Sequence, residues 1–302
     1  MRRILVTGAA GFIGRYCAEI LASTVDEIHL VSSRKISASS PCGIWHQCDL
    51  MSPDQVRSLL EQVRPTHLLH LAWDTTPPGY WVSPTNLSWV RASLDLLMGF
   101  QKLGGTRAVI AGTCAEYDWT HGTCSEEETP LTPTTVYGKS KTALWFLVEA
   151  LAQLSGLSLA WGRVFFTFGP GEHPSRLVPS IIRSLVEDKP FLCRHSSAGR
   201  DFLFVEDLAD AFVTLLKSDV TGAVNLASGV QIRLGDLAGD IARDLRKGHL
   251  LQLKNEDEEG HVEVISADTI RLTNLVGWQP KIGLQEGISR TINWWRDSVR
   301  LT

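Results

Sequence analysis

The segment Thr7-Gly8-Ala9-Ala10-Gly11-Phe12-Ile13-Gly14 constrains this chain more than any other. Three glycines, each three residues from the next, follow an apolar run at 4–7 and open a helical pattern. A strand that turns this way into a helix brings free backbone N–H groups and the positive end of a helix dipole to one point. Gly8 makes the tight turn, and Gly11 leaves the backbone bare for a pyrophosphate, with Phe12 and Ile13 beside it. Gly14 lets the helix lie close on the strand. The spacing predicts a dinucleotide site at the first strand-to-helix turn of a βαβ unit.

The rhythm downstream agrees. Apolar runs at 27–32, 43–48, 67–71, 107–111 and 158–163 alternate with helical patterns at 53–63, 87–103 and 136–154. Strands alternating with helices predict an α/β fold of the Rossmann kind, a doubly wound parallel sheet with helices on both faces. After Arg163 the rhythm changes at the breaker Phe168-Gly169-Pro170-Gly171, and shorter helical patterns follow at 177–187, 205–216 and 234–245. The expectation is a dinucleotide-binding domain over 1–165, whose core is able to regain later segments, and a smaller mixed substrate-binding region over 166–302. The site belongs in the cleft between them. The acidic run Glu256-Asp257-Glu258-Glu259 is expected to be a solvated loop.

Composition excludes several classes. With 302 residues and a formal charge of -4, the chain has no basic footprint for nucleic acid. No apolar run is long enough to cross a bilayer, and the run after Arg2-Arg3 ends at Thr7-Gly8, short of a signal sequence. The six cysteines form no Cys-x-x-Cys pair, so no metal site is expected, and their scatter suits a reducing, cytoplasmic location.

An enzyme that holds NAD usually carries Asp or Glu about 20 residues past the fingerprint, for the ribose hydroxyls. Here the stretch reads Val31-Ser32-Ser33-Arg34-Lys35, without a carboxylate. Hydroxyls and cations suit a ribose 2′-phosphate, with Ser33 and Arg34 as its holders and Arg15 as a helper, so NADP(H) is preferred and NAD(H) remains open. Further on, Tyr137 and Lys141 stand four apart and share a helix face. An ammonium beside a phenol favours the phenolate, and such a tyrosine can give or take a carbinol proton while a bound cofactor moves hydride.

The order of these motifs resembles the extended short-chain dehydrogenase/reductase superfamily, in its branch of NAD(P)-dependent sugar-nucleotide epimerases, dehydratases and ketoreductases. The resemblance runs over nearly the whole chain. It takes in Cys48-Asp49-Leu50, whose Asp49 aligns with an adenine-contacting aspartate, and His70-Leu71-Ala72-Trp73, which resembles a motif lining the cofactor. It also takes in Asn86, the stretch from Arg163 through Phe165 to Pro170 behind the nicotinamide, and Arg200 with its following Asp201-Phe202. Leu275-Val276-Gly277-Trp278-Gln279-Pro280 is similar to the C-terminal signature. The resemblance implies a catalytic set of Thr113, Tyr137 and Lys141. It implies cofactor contacts from the glycine turn, Asp49, Leu50, Leu71, Ala72, Trp73, Tyr137, Lys141 and Phe165. Substrate contacts are implied from Thr113, Cys114, Arg176, Leu177 and Arg200, the last holding a nucleotide diphosphate. A homodimer through the helices at 86–103 and 136–154 is implied as well.

The chain departs from the family pattern in three places. Dehydratases of the family carry Thr-Asp-Glu where this chain has Thr113-Cys114-Ala115, so elimination of water from the sugar is not expected. Cys114 is either a proton donor or a small packing residue, and Glu116, on an extended strand, points to the opposite side. Phe166-Thr167-Phe168-Gly169-Pro170 lacks the asparagine that contacts the diphosphate, and Glu258-Glu259-Gly260-His261-Val262 lacks a second arginine, a charge Arg176 can supply. Ten tryptophans include Trp73, Trp81 and Trp89 near the fourth strand; most suit packing, and Trp73 is placed to close over the nicotinamide or the substrate ring. The leading expectation is an NADP(H)-dependent ketoreductase acting on a nucleotide-activated 4-keto-6-deoxy sugar. The alternative is a sugar-nucleotide 4-epimerase with no net cofactor use, and a non-catalytic dinucleotide binder comes third.

Overall fold

The structure, a computed structural model, describes residues 2–24, 26–35, 42–255 and 262–300, the side chains of 298–300 excepted. The acidic run at 256–259 lies outside the described residues.

The strands of the first half are β1 (Arg3–Thr7), β2 (Glu27–Ser32), β3 (Ile44–Gln47), β4 (His67–His70), β5 (Arg107–Thr113), β6 (Thr123–Cys124) and β7 (Ser158–Val164). Its helices are α1 (Gly14–Ala22), α2 (Pro53–Val63), α3 (Thr85–Lys102) and α4 (Val136–Ser155). Then follow β8 (Phe166–Phe168), α5 (Leu177–Val186), β9 (Phe191–Cys193), β10 (Gly199–Phe204), α6 (Val205–Lys217) and β11 (Gly222–Leu226). The chain continues through β12 (Gln231–Arg233), α7 (Leu234–Asp244), β13 (Leu251–Leu253), β14 (Val264–Ala267), α8 (Ile270–Asn274) and α9 (Leu284–Arg300).

Seven parallel strands form the main sheet in the order β11-β7-β5-β4-β1-β2-β3. The direction of winding reverses between β1 and β4, and in such a sheet ligands bind outside the carboxyl ends of the strands at that point. Alternation along β1 explains the two layers. Ile4 and Val6 join a cluster with Cys17, Leu21 and Phe212 on the side of α1 and α6. Leu5 joins Leu60, Phe100 and Leu144 on the side of α2, α3 and α4. Both faces are covered, so the strands are apolar almost throughout.

A smaller lobe has the strand order β12-β10-β14-β6, with β8 also paired to β10. The β10–β12 pair is antiparallel and the others are parallel. Its core joins α5, α7 and α9 through Ile182, Ile241 and Ile288. The chain crosses between the layers more than once. After β10, α6 packs on α1, and β11 pairs with β7, so residues 205–226 build onto the main sheet. Among the described residues no helix is long and apolar enough to cross a membrane.

Candidate active site

The first half of the site is made of backbone. Gly8 has φ +70°, and a Cβ there would stand 2.8 Å from Ala72 N, so the turn after β1 touches the end of β4. A Cβ on Gly14 would stand 2.1 Å from Gly8 O, which is why α1 can start against the turn. No side chain caps α1 and no acid lies in its first turn, and although the Arg15 and Cys17 amides donate to Gly11 O and Ile13 O, the positive end of the helix dipole is open to an incoming anion. A cradle that side chains would fill, open at a helix N-terminus, fits a dinucleotide pyrophosphate. Phe12 and Ile13 line the turn half-buried, and Ile13 also leans on the α1-side cluster.

At the end of β2, Ser33, Arg34 and Lys35 are exposed, with the Arg34 amide donating to Ser32 Oγ at 3.1 Å. Asp49 is exposed and accepts from the Met51 amide at 3.0 Å. Leu50 turns its side chain into the cluster under α2, so only its backbone faces outward toward a ligand. Leu71 packs toward the α1 side and Ala72 and Trp73 toward the α3 side. Arg15 is placed differently from the sequence expectation. Its guanidinium donates to Pro170 O and lies 4.8 Å from the Tyr16 ring centroid, drawn to the turn after β8 rather than to the end of β2. The first turn of α1 faces the smaller lobe, and a carbonyl of that lobe captures the charge.

The second half is made of buried side chains. Thr113 ends β5, and Tyr137 and Lys141 sit on α4. Thr135 caps α4 by accepting from the Gly138 amide at 3.0 Å. A Cβ on Gly138 would stand 2.2 Å from Ala115 O, so glycine lets the helix start against the end of β5. Thr113 and Tyr137 are thereby brought together, with Lys141 one turn further along α4. The Thr113 hydroxyl lies beside the Tyr137 phenol and favours its ionisation, and Lys141 Nζ donates to Ala111 O at 2.8 Å. Burial pushes Lys141 down to about 7 against the pull of Glu116. Burial also pushes Tyr137 up, and this outweighs the lowering by Thr113. The phenolate expected beside an ammonium is therefore not the form favoured here: the phenol keeps its proton, ready to donate it.

Behind Thr113 lies a network that the sequence reading misplaced. Glu116 does not continue an extended strand. The chain turns into a 3-10 turn at Cys114–Glu116, with Thr113 Oγ accepting from Ala115 N at 3.2 Å and the Thr113 amide donating to Glu116 Oε1 at 2.8 Å. The turn folds Glu116 inward, fully buried, where Arg163 Nε reaches Oε2 at 2.7 Å and Trp161 Nε1 reaches Oε1 at 2.9 Å. Arg163 also donates to Tyr117 Oη at 2.9 Å, and Tyr117 donates to Asn225 Oδ1 at 2.7 Å. The available signal was Arg163 itself, a charge inside the apolar strand β7 that demands a buried partner.

A second buried set ties the strands together. His70 bridges Thr7 Oγ1 at 2.6 Å and Ser93 Oγ at 2.8 Å, and burial lowers it to about 3, so it is neutral.

Aromatic rings wall the reacting side. Tyr80, Trp81 and Trp73 meet the Tyr137 ring edge to face at 5.1, 5.7 and 6.3 Å between centroids. Tyr80 and Trp81 come from a 3-10 turn at Gly79–Trp81 that sequence reasoning did not assign to the site as a pair. Asn86 fastens this loop, donating to Tyr80 O and Ser83 O at 2.7 and 2.9 Å. Arg176 spans from the smaller lobe to Tyr80 Oη at 3.1 Å and Thr75 O at 3.2 Å, with Leu177 beginning α5 next to it. Arg200 donates to the carbonyls of Gly199, Glu263 and Val262, and its charge pulls on Cys114, whose thiol burial nonetheless pushes up. Cys114 is thus a buried, protonated thiol, and Phe165 packs in the same apolar cluster. Glu172 is nearly buried, and burial raises it to about 8 against the pull of Arg176.

A family model described as the NAD dependent epimerase/dehydratase family matches residues 4–227. A UDP-glucuronate 4-epimerase of Thermodesulfobacterium geofontis is 25% identical, over 98% of this chain and 97% of its own. A Thermus thermophilus UDP-glucose 4-epimerase solved with NAD superposes at a TM-score of 0.85 with 25% identity, covering 97% of this chain and 99% of that one. An NAD-dependent NDP-hexosamine 5,6-dehydratase of tunicamycin biosynthesis superposes at 0.86 with 26% identity, covering 98% of both chains.

Proposed function

The chain belongs to the NAD dependent epimerase/dehydratase family, and on that premise we propose that it is an NADP(H)-dependent ketoreductase of a nucleotide-activated 4-keto-6-deoxy sugar. One observation carries the choice of reaction. Thr113 and Tyr137 lie side by side with Lys141 one turn further along α4, while Glu116, whose Oε1 accepts from the Thr113 amide, is held in a buried ion pair with Arg163 and is not free to act as acid or base. Proton donation to a carbonyl oxygen is supported by this set, and elimination of water, which needs a further acid and base, is not. The exposed Ser33-Arg34-Lys35 at the end of β2, with no carboxylate among them, supports NADP(H) over NAD(H).

The residues then divide the work. The Gly8–Gly14 turn and the N-terminus of α1 hold the pyrophosphate, Asp49 holds the adenine end, and Arg34 the 2′-phosphate. When bound, NADPH supplies the hydride for the ring carbon. Thr113 holds the keto oxygen by its hydroxyl and Tyr137 gives that oxygen a proton. The ammonium of Lys141 offsets the charge left on Tyr137. Arg176 and Arg200 offer positive charge to the nucleotide diphosphate, and the rings of Tyr80 and Trp81 exclude water. The exposed Leu87 and Met98 on α3 and Phe146, Leu147 and Leu154 on α4 support a homodimer through that helix pair. Six free cysteines suit a cytoplasmic location.

The test is the absorbance of the reduced nicotinamide, followed with NADPH or NADH and a panel of nucleotide 4-keto-6-deoxy sugars. Loss that depends on the sugar, with NADPH preferred, is the expected result. A second reading, a 4-epimerase with no net cofactor use, is favoured by the UDP-glucuronate 4-epimerase relative, which is matched over nearly its full length. Interconversion of stable nucleotide sugars without loss of NADPH would replace the first reading by the second.

A further inference from the structure

Lys141 is almost wholly buried, and among the described residues its Nζ has one hydrogen-bond acceptor, Ala111 O. An ammonium carries three donors and is costly to bury without compensation. The compensation in view is a ring. Nζ stands 3.7 Å from the centroid of the Trp73 indole, well inside the range of cation–π attraction. That ring is fixed from two sides: its Nε1 donates to Asn86 Oδ1 at 2.8 Å, and it stacks on Trp89 at 6.0 Å and 25°.

We propose that Trp73 is a positioning residue for Lys141, its ring face keeping the buried amine in the ammonium form and aimed along the Tyr137 side of the crevice. The proposal rests on the reading that Lys141 serves the reaction. It gives this indole a role different from the one expected from the sequence, which was to close over the nicotinamide or the substrate ring.

The neighbours of Lys141 leave room for this effect. From the turn after β5, Glu116 favours the ammonium, but its charge is matched by Arg163. From β4, His70 is neutral above about 3. From α4 itself, Tyr137 keeps its proton, and from β7 the Trp161 ring is more distant, at 6.0 Å. Burial favours the neutral amine, and a ring quadrupole attracts only the charged form. Removing the ring without admitting water must therefore make Lys141 easier to deprotonate.

The variant is Trp73→Leu, which keeps the site dry; alanine would admit water and confuse the sign. The first readout uses protein with 13C-labelled lysine and no dinucleotide: the Lys141 Cε resonance is titrated, with Lys141→Arg to assign it. The second is the basic limb of kcat/KM against pH. In W73L both midpoints fall by about 0.5–1 pH unit, and in W73F, which keeps a weaker ring face, by less. A W73L midpoint equal to or above that of wild type overturns the proposal. If W73L does not fold, W73F is compared with wild type, and a midpoint that fails to fall overturns it equally. If no sugar is turned over, the reaction reading fails while the NMR titration still decides the role of Trp73.

Discussion

The two halves of the crevice are built from different materials. At the glycine turn and the end of β2 the backbone does the work, and Ser33, Arg34, Lys35 and Asp49 stand in solvent. Around Thr113 the work falls to side chains that are buried, hydrogen-bonded and tied to distant segments. An exposed cation can be lost without disturbing its surroundings, because water replaces its contacts. A buried member of a satisfied network cannot, because its partner is left charged and unpaired. The dinucleotide half should therefore tolerate substitution with local effects, and the reacting half should transmit them.

The largest expected effect tests whether the halves separate at all. Tyr137→Phe removes the donated proton and should lower turnover by about a thousandfold, within the usual range for a positioned acid. Dinucleotide affinity, read by fluorescence titration, should stay within about twofold. A comparable loss of affinity would mean that the halves are one unit. Next, Glu116→Gln leaves Arg163 unpaired in the interior and should cost about 3–5 kcal/mol of stability by chemical denaturation. A loss below about 1 kcal/mol would show that the network behind Thr113 does not hold the reacting half in place.

Arg34→Ala should weaken NADPH by about tenfold and NADH by less than about twofold, since one charge-assisted contact to a phosphate is removed. Equal weakening would move the preference away from NADP(H). The smallest effect lies at the junction of the halves. The folded-state pKa of Glu172 is raised by burial to about 8, above its ordinary value of 4.5. The folded state then holds a proton that the unfolded state has lost, so stability is full below about 4.5 and falls as pH rises toward 8. Glu172→Gln should therefore stabilise the protein by about 1 kcal/mol at pH 8 and change little near pH 4.5. A benefit that grows as pH falls would reverse the assignment.

The same division governs what could be read in advance. The glycine turn, the strand and helix order and the Tyr137–Lys141 spacing are local patterns, and each element appeared within a few residues of its expected bounds. The helix expected at 87–103 begins earlier, at Thr85, and β5 runs on from 111 to Thr113. Glu116 was misjudged because its direction depends on a turn that Thr113 caps and on Arg163, 47 residues away. Arg15 was misjudged because Pro170, which accepts from it, is 155 residues away. Trp73 was singled out, but its partner was not, since Lys141 reaches it only when α4 packs against β5 and the loop that follows β4.

By itself, the sequence determined the parallel sheet, the place of the glycine turn and the placing of Tyr137 and Lys141 on one face of a helix. These follow from period, spacing and backbone conformation, which act over a few residues and survive any tertiary context. Only the tertiary structure decided that Tyr137 keeps its proton, that Lys141 sits on an indole and that Glu116 is locked to Arg163. Protonation and pairing depend on burial and on partners far along the chain, and burial is a property of the packed molecule rather than of any segment.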